Sequence, residues 1–174
     1  AKVILKKTDF KADEINMMAV AKGGTSVYGN DKTADLMFMP AVLEEIKPAL
    51  DLKNQIIVSD AANFTTEELA NALGTSGQFC YVIPNIAAEF GASMSFVAKG
   101  EGCSDDSLAK VKSLYDLCGD TLVVTEKLVE PGMMMASCGI AYVMRYIRAQ
   151  MEGGCEMGFY PQQAKQIALQ TMQG

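Results

Sequence analysis

The chain has 174 residues, of which 49% are hydrophobic and 21% charged, so it is long enough for one ordinary domain and too apolar to be disordered. Its net charge of −6 argues against a nucleic-acid-binding surface, and no apolar run is long enough to span a membrane. With no histidine, Ser-His and Cys-His catalysis are excluded, and the five scattered cysteines suggest free thiols and no zinc site. We therefore expect a cytoplasmic protein.

The first sixty residues contain few clear elements. The short apolar run 35–39 is a candidate for a buried strand, and Pro40 is expected to open a helix that ends at Pro48. The β-branched run Gln55–Ser59 is typical of a buried parallel strand.

Two capped helices and three further strands are predicted next. Thr65 and Glu68 have the spacing of a capping box, and Gly74 is the expected stop of the helix that they begin. Ser104 is the expected N-cap of a second helix, which Gly119 ends. The three strands are predicted at Phe79–Ile83, Ser93–Ala98 and Thr121–Val124. Strands that alternate with short helices indicate an α/β sheet over residues 1–125.

After Thr125 the pattern becomes purely helical. Apolar residues at helical spacing predict a buried helix from about Ile140, with breaks at Gly153-Gly154 and Met157-Gly158. A last helix is expected to begin at Pro161. This second region is small for a core of its own, so we expect its apolar helices to pack on a partner subunit.

The small residues Ala136–Gly139 precede this helix and are the first candidate binding site. Backbone N–H groups at a helix N-terminus favour an anion, and Ser137 adds a hydroxyl, so this turn can hold a carboxylate. The alternative is a tight helix entry that needs small side chains for packing. Cys138 is a weaker candidate for a nucleophile because no base lies near it in the sequence. Met133–Met135 are more typical of a pliable core than of a cofactor site.

Two polar residues follow predicted strands, where open α/β sheets bind their ligands. Asn85 comes after the strand at 79–83 and can hydrogen-bond a cofactor or serve as a plain turn residue. Asp60 comes after the strand at 55–59 and is either a site residue or a capping or solvent-facing one. The glycine fingerprint G-x-G-x-x-G is absent, which weighs against dinucleotide binding by the sequence as it stands.

Four segments follow one another along the chain: Ile56–Ala62, Val82–Asn85, Glu126–Leu128 and Ala136–Tyr142. This ordered series resembles the pyrroline-5-carboxylate reductase family. Ile56–Ala62 is similar to the I-I-S-I-A-A-G strand end of that family, and Val82–Asn85 is similar to its V-M-P-N. Glu126–Leu128 matches its E-K-L, and Ala136–Tyr142 is similar to its S-G-S-G-P-A-Y. The similarity covers roughly residues 36–174, and the order of the matches is more specific than any one of them.

The resemblance implies an α/β fold with an incomplete Rossmann-like N-terminal domain, residues 1–125, and an all-α dimerisation domain, residues 126–174. It implies hydride transfer from NAD(P)H, with NADP or NAD as the cofactor, to a cyclic imine carboxylate to give proline. The partners that it implies are this small-molecule substrate and a second copy of the chain, bound through the C-terminal helices in a dimer or a higher oligomer.

The resemblance also assigns roles to six residues by position. Those expected to hold the substrate carboxylate are Ser137, Cys138 and Gly139, and those expected beside the nicotinamide are Pro84, Asn85 and Ala87. Met133 stands where the family has a threonine, and the family's first strand and glycine fingerprint are not evident. Two alternatives therefore stay open: a non-catalytic dimeric relative that has lost dinucleotide binding, and a reductase of another imine or of a β-hydroxyacid.

Overall fold

A computed structural model describes residues 43–44 and 47–174. Leu43 and Glu44 are helical, as expected, whereas the predicted strand at 35–39 and the helix start at Pro40 lie outside the described residues. The chain divides into two compact units, of which the first ends at Met133 and the second comprises Met134–Gly174. The predicted domain boundary after residue 125 stays a prediction.

The described residues of the first unit form a four-stranded mixed sheet, which confirms the predicted α/β architecture. Its strands are β1 (Ile56–Ser59), β2 (Gln78–Ile83), β3 (Ser93–Lys99) and β4 (Gly119–Val123), in that spatial order. β1 is parallel to β2, and β3 is parallel to β4, but β2 and β3 are antiparallel. The connection between β2 and β3 is shorter than the crossover of about a dozen residues that a parallel pair needs. As a result, β1 and β2 end at the same edge where β3 and β4 begin.

Two helices of the first unit have the predicted caps. α1 (Thr66–Leu73) follows the capping box, in which the Thr65 hydroxyl accepts the Glu68 N–H at 3.2 Å and the Glu68 carboxylate accepts the Thr65 N–H at 2.7 Å. Gly74 ends it with a φ of 70°. α2 (Asp105–Tyr115) begins after Ser104, whose hydroxyl accepts the Ser107 N–H.

The prediction that Gly119 ends α2 is wrong. The helix ends at Tyr115 and passes into a 3-10 turn, Asp116–Cys118, and Gly119 is the first residue of β4. Its φ of 147° lies in the region that favours glycine, and a Cβ at this position would overlap with the backbone of Ser93 in β3. The glycine therefore serves the close approach of two strands.

The core lies on both faces of β2, whose successive side chains point to opposite sides of the sheet. One cluster of buried side chains comprises Leu43, Phe64, Leu69, Leu73 and Phe79. The other comprises Cys80, Val82, Val97, Cys103 and Val111. β1 is only half-buried along Ile56–Val58, less than predicted, because within the described sheet it has a neighbour on one side alone.

The second unit contains most of one long helix and all of a shorter one. α3 (Val129–Glu156) runs through Gly153 and Gly154, so the predicted break there is wrong. Glycine in a helix costs only about 1 kcal/mol, and a Cβ at Gly154 would lie 3.0 Å from the Cβ of Ala164, so the small residue permits close helix packing. The predicted break at Met157-Gly158 is confirmed, with a φ of 102° at Gly158.

α4 (Pro161–Gln173) begins at the predicted proline. Ala164 and Ala168 of this helix are buried. Among the described residues, no helix is both long and apolar enough to cross a membrane.

Candidate functional site

The residues predicted to lie beside the nicotinamide form a turn at the end of β2. Asn85 caps a 3-10 helix, Ile86–Phe90, and its side-chain oxygen accepts the Ala87 N–H at 3.0 Å. Gly91 ends this short helix with a φ of 69°. Asn85 therefore has the structural role of a turn residue, and the turn also stands at the strand-end edge where α/β sheets bind ligands.

Two buried serines lie behind this turn, and the sequence analysis missed them. The backbone N–H of Asn85 donates to Ser93 Oγ at 3.1 Å, and the Ser93 and Ser95 hydroxyls are also 3.1 Å apart. Both serines are buried, and they share one face of β3 because alternate strand residues point the same way. Two serines at alternate positions in a largely apolar strand were the available signal.

Asp60 lies at the same edge, where the chain leaves β1. Its carboxylate accepts a hydrogen bond from the Tyr115 hydroxyl at 2.7 Å. Partial desolvation of the carboxyl group raises the pKa of Asp60, although the residue as a whole is exposed, and the Tyr115 hydrogen bond opposes this shift. Burial and the neighbouring Asp60 carboxylate raise the pKa of Tyr115, which stays protonated and donates. Asp60 thus anchors a strand end to the end of α2.

The loop after Asp60 is held by a second tyrosine, Tyr81. Asn63 has a φ of 60°, in the left-handed region that asparagine tolerates better than most residues, and its N–H donates to the Tyr81 hydroxyl at 3.1 Å. Tyr81 is buried in β2, and this burial raises the pKa of its hydroxyl. The loop and the Asn85 turn are therefore both fastened to the sheet.

Glu126 makes a connection that the sequence did not predict. One carboxylate oxygen accepts the Thr66 N–H and the other accepts the Thr66 hydroxyl, each at 2.6 Å. Thr66 is the first residue of α1, where the helix dipole favours a negative charge. The family-like E-K-L segment thus fixes the chain just before α3 to the first helix of the sheet domain.

The structure corrects the expected turn at Ala136–Gly139. α3 begins at Val129, since Pro131 is tolerated in a first turn where its missing N–H has no helical partner. The segment therefore lies inside a continuous helix, where N–H groups pair with the carbonyls four residues earlier, and not at a helix N-terminus. The anion site based on free helix-end N–H groups is wrong.

The roles of Ser137, Cys138 and Gly139 as substrate-binding residues stay predictions. Within the second unit, the Cys138 thiol contacts the Met134 sulfur at 3.8 Å. The cofactor-side residues Pro84 and Asn85 belong to the first unit. Among the described residues, no three His, Cys, Asp or Glu side chains are grouped so as to bind a metal ion.

The expected burial of α3 is also wrong for the single chain. The apolar residues Val143 and Met144 of this helix are 44% and 61% exposed, and Met135 is 80% exposed. α4 is similar, with Ile167 and Met172 nearly half exposed. Apolar side chains at this density mark an interaction surface.

A family model, several relatives and several solved structures that are similar to this chain all concern pyrroline-5-carboxylate reductases. Residues 126–174 match the family model for pyrroline-5-carboxylate reductase dimerisation. The chain is similar to a pyrroline-5-carboxylate reductase over most of its length. Pyrroline-5-carboxylate reductase 1 of Dictyostelium discoideum is 29% identical over 144 residues, which cover 76% of this chain and 26% of the relative. The Schizosaccharomyces pombe reductase is 26% identical over 166 residues, which cover 93% of this chain and 59% of the relative.

The solved pyrroline carboxylate reductase of Plasmodium falciparum, with NADP bound, has the same fold. It superposes with a TM-score of 0.73 at 22% identity, over 79% of this chain and 54% of its own. The sheet and helices above are therefore those of a Rossmann-like domain followed by a helical dimerisation domain. The chain spans about three-fifths or less of the length of these relatives.

Proposed function

We propose that the protein reduces pyrroline-5-carboxylate to proline with NAD(P)H, as the names of its relatives indicate for them. The observation that carries the proposal is the pairing of the matched dimerisation segment, residues 126–174, with a sheet edge that has a polar turn at the end of β2. The relative from Plasmodium falciparum holds NADP, which supports the same class of cofactor here.

The described residues fit the nicotinamide end of such a cofactor. The Pro84–Ala87 turn lies at the strand-end edge, and Ile86 and Phe90 beside it are 77% and 81% exposed, which provides apolar surface for a ring. Reduced nicotinamide supplies the hydride when it is bound. The chain's own part is to hold this turn still, because hydride transfer to an already cationic imine depends mainly on positioning.

For the substrate carboxylate we propose Ser137 and Cys138, which lie in the third turn of α3. Because this segment does not lie at a helix end, the groups that can bind a carboxylate are the Ser137 hydroxyl and the Cys138 thiol. The exposed apolar faces of α3 and α4 support a homodimer or higher oligomer through this unit.

A titration of the 174-residue chain with NADPH, followed by the emission of the reduced cofactor, tests the proposal. We expect saturable binding and oxidation of NADPH only when pyrroline-5-carboxylate is added. A chain of the correct intact mass that binds no NADPH contradicts the proposal. The lack of a G-x-G-x-x-G segment favours the second candidate in that case, a non-catalytic dimeric relative.

A second assay fixes the substrate class. Rates with pyrroline-5-carboxylate are compared with those for a six-membered cyclic imine carboxylate and for a β-hydroxyacid with oxidised cofactor. A higher kcat/KM for the five-membered ring supports the proposal, and a preference for either of the others assigns the chain to a related reductase.

A further inference from the structure

Two buried serines distinguish the turn at the end of β2 from an ordinary loop. Ser93 is 2% exposed and Ser95 is fully buried, and they lie on one face of β3 together with the buried Val97. A buried hydroxyl costs free energy unless it is hydrogen-bonded, so this serine pair indicates that the hydroxyls hold other polar groups in place.

The group that Ser93 holds is the backbone N–H of Asn85. Its backbone N–H donates to Ser93 Oγ, and its side-chain oxygen accepts the Ala87 N–H. With the contact between the two serine hydroxyls, a continuous network runs from Ser95 inside the sheet through Ser93 and Asn85 to Ala87. The main chain of the turn is thereby tied to a strand.

Ser93 is itself held in place by the neighbouring strand. It pairs with Gly119 in β4, and a Cβ on that glycine would overlap with the backbone N and O of Ser93. A group on a strand that is packed this closely holds its partner more accurately than a group on a loop. The arrangement resists a shift of the turn relative to the sheet.

We infer that Ser93, supported by Ser95, is a positioning residue for hydride transfer, because it fixes the Pro84–Ala87 turn beside which the nicotinamide binds. The inference rests on the proposed function. Hydride donor and acceptor must approach to roughly 3–3.5 Å, so a small movement of the turn slows the chemical step more than it weakens binding.

The test compares Ser93→Ala with Ser107→Ala in the full chain. Ser107 is a matched control because it is also a buried serine whose hydroxyl bonds another serine, Ser104, at 3.0 Å, but it lies in α2. We expect Ser93→Ala to lower kcat about tenfold with KM for the imine nearly unchanged, and to raise the isotope effect measured with NADPH deuterated at the transferred position. Ser95→Ala should give a smaller change in the same direction.

Amide hydrogen exchange without cofactor separates this inference from the proposed function. Ser93→Ala should speed exchange at Asn85 and Ala87, and Ser107→Ala should not. Unchanged exchange, or a kcat and isotope effect that move no more than in Ser107→Ala, overturns the inference. A wild-type chain that neither binds NADPH nor reduces the imine overturns the proposed function and the catalytic part of the inference, whatever the exchange rates.

Discussion

The two compact units of this chain differ in where they place their apolar side chains. In the first unit both faces of β2 are covered, so Phe79 and Val82 are almost completely buried. In the second unit the buried hydrophobic residues are Ala164 and Ala168, while larger side chains of α3 and α4 remain exposed. Side chains of the first unit bury both faces of β2, whereas large apolar side chains of α3 and α4 stay exposed in the single chain.

This difference has an energetic meaning. Burial is worth about 25 cal/mol per Å² of apolar surface, so two alanines stabilise a helix pair very little. We therefore expect association to add to the stability of the second unit, whose residues match a dimerisation model. Substitutions in the two units should consequently report different things, folding in the first and assembly in the second.

The largest loss of stability is expected for Phe79→Ala in β2. Phe79 is 2% exposed and packs in the cluster with Leu69 and Leu73, so its truncation leaves a cavity that costs about 3–5 kcal/mol. Urea unfolding followed by circular dichroism measures the loss. The exposed Phe90→Ala is the matched control and should change the free energy of unfolding by less than about 0.5 kcal/mol. Equal losses at the two sites would contradict the described core.

Glu126→Ala is expected to come next. It leaves the buried Thr66 N–H and hydroxyl without their carboxylate partner, at a cost of about 1–3 kcal/mol. Glu126→Gln keeps an acceptor for one of the two donors and should lose less. The same urea experiment ranks them, and Glu130→Ala, at an exposed neighbouring position, is the control. An alanine variant as stable as the wild type would show that this contact contributes nothing.

A smaller effect, which depends on pH, is expected at Asp60. Because burial raises its pKa in the folded state above the usual 3.8, this group favours folding most at acidic pH, and its contribution is lost as the pH rises through the folded-state value. Asp60→Asn keeps an acceptor for Tyr115 and removes the charge, so its stability relative to wild type should increase from about pH 4 to pH 7. Urea unfolding at several pH values checks this, and a constant difference contradicts it.

The features that were predicted from sequence are those that depend on neighbouring residues. The Thr65–Glu68 capping box and the Gly74 stop are confirmed because the interacting groups lie within one turn of each other. Gly153-Gly154 was mistaken for a break because its packing partner, Ala164, lies on another helix. Local propensity for glycine is weak enough for such packing to override it.

The candidate site was predicted only in part, for the same physical reason. Its turn at Asn85 follows a recognisable strand, but the hydrogen bond to Ser93 exists only because β3 returns antiparallel to β2. The contact of Glu126 with Thr66 joins residues sixty positions apart. The expected anion site at Ala136–Gly139 failed because the helix starts earlier, at Val129.

The smallest change in the stability of a single chain, and the most informative one for the comparison of the two units, is expected for Val143→Asp. Val143 is 44% exposed, so a charge there should alter unfolding of the separated chain by no more than about 0.5 kcal/mol. In a dimer the same charge would be buried against apolar side chains without a partner, which is strongly unfavourable. Light scattering should therefore show the mass falling from a multiple of 18.7 kDa to 18.7 kDa. Lys110→Asp on the exposed surface of α2 is the control and should leave the assembly intact. If Val143→Asp stays assembled, this face of α3 is not the interface, and the contrast between a self-covered sheet and a partner-covered helix pair fails at this position.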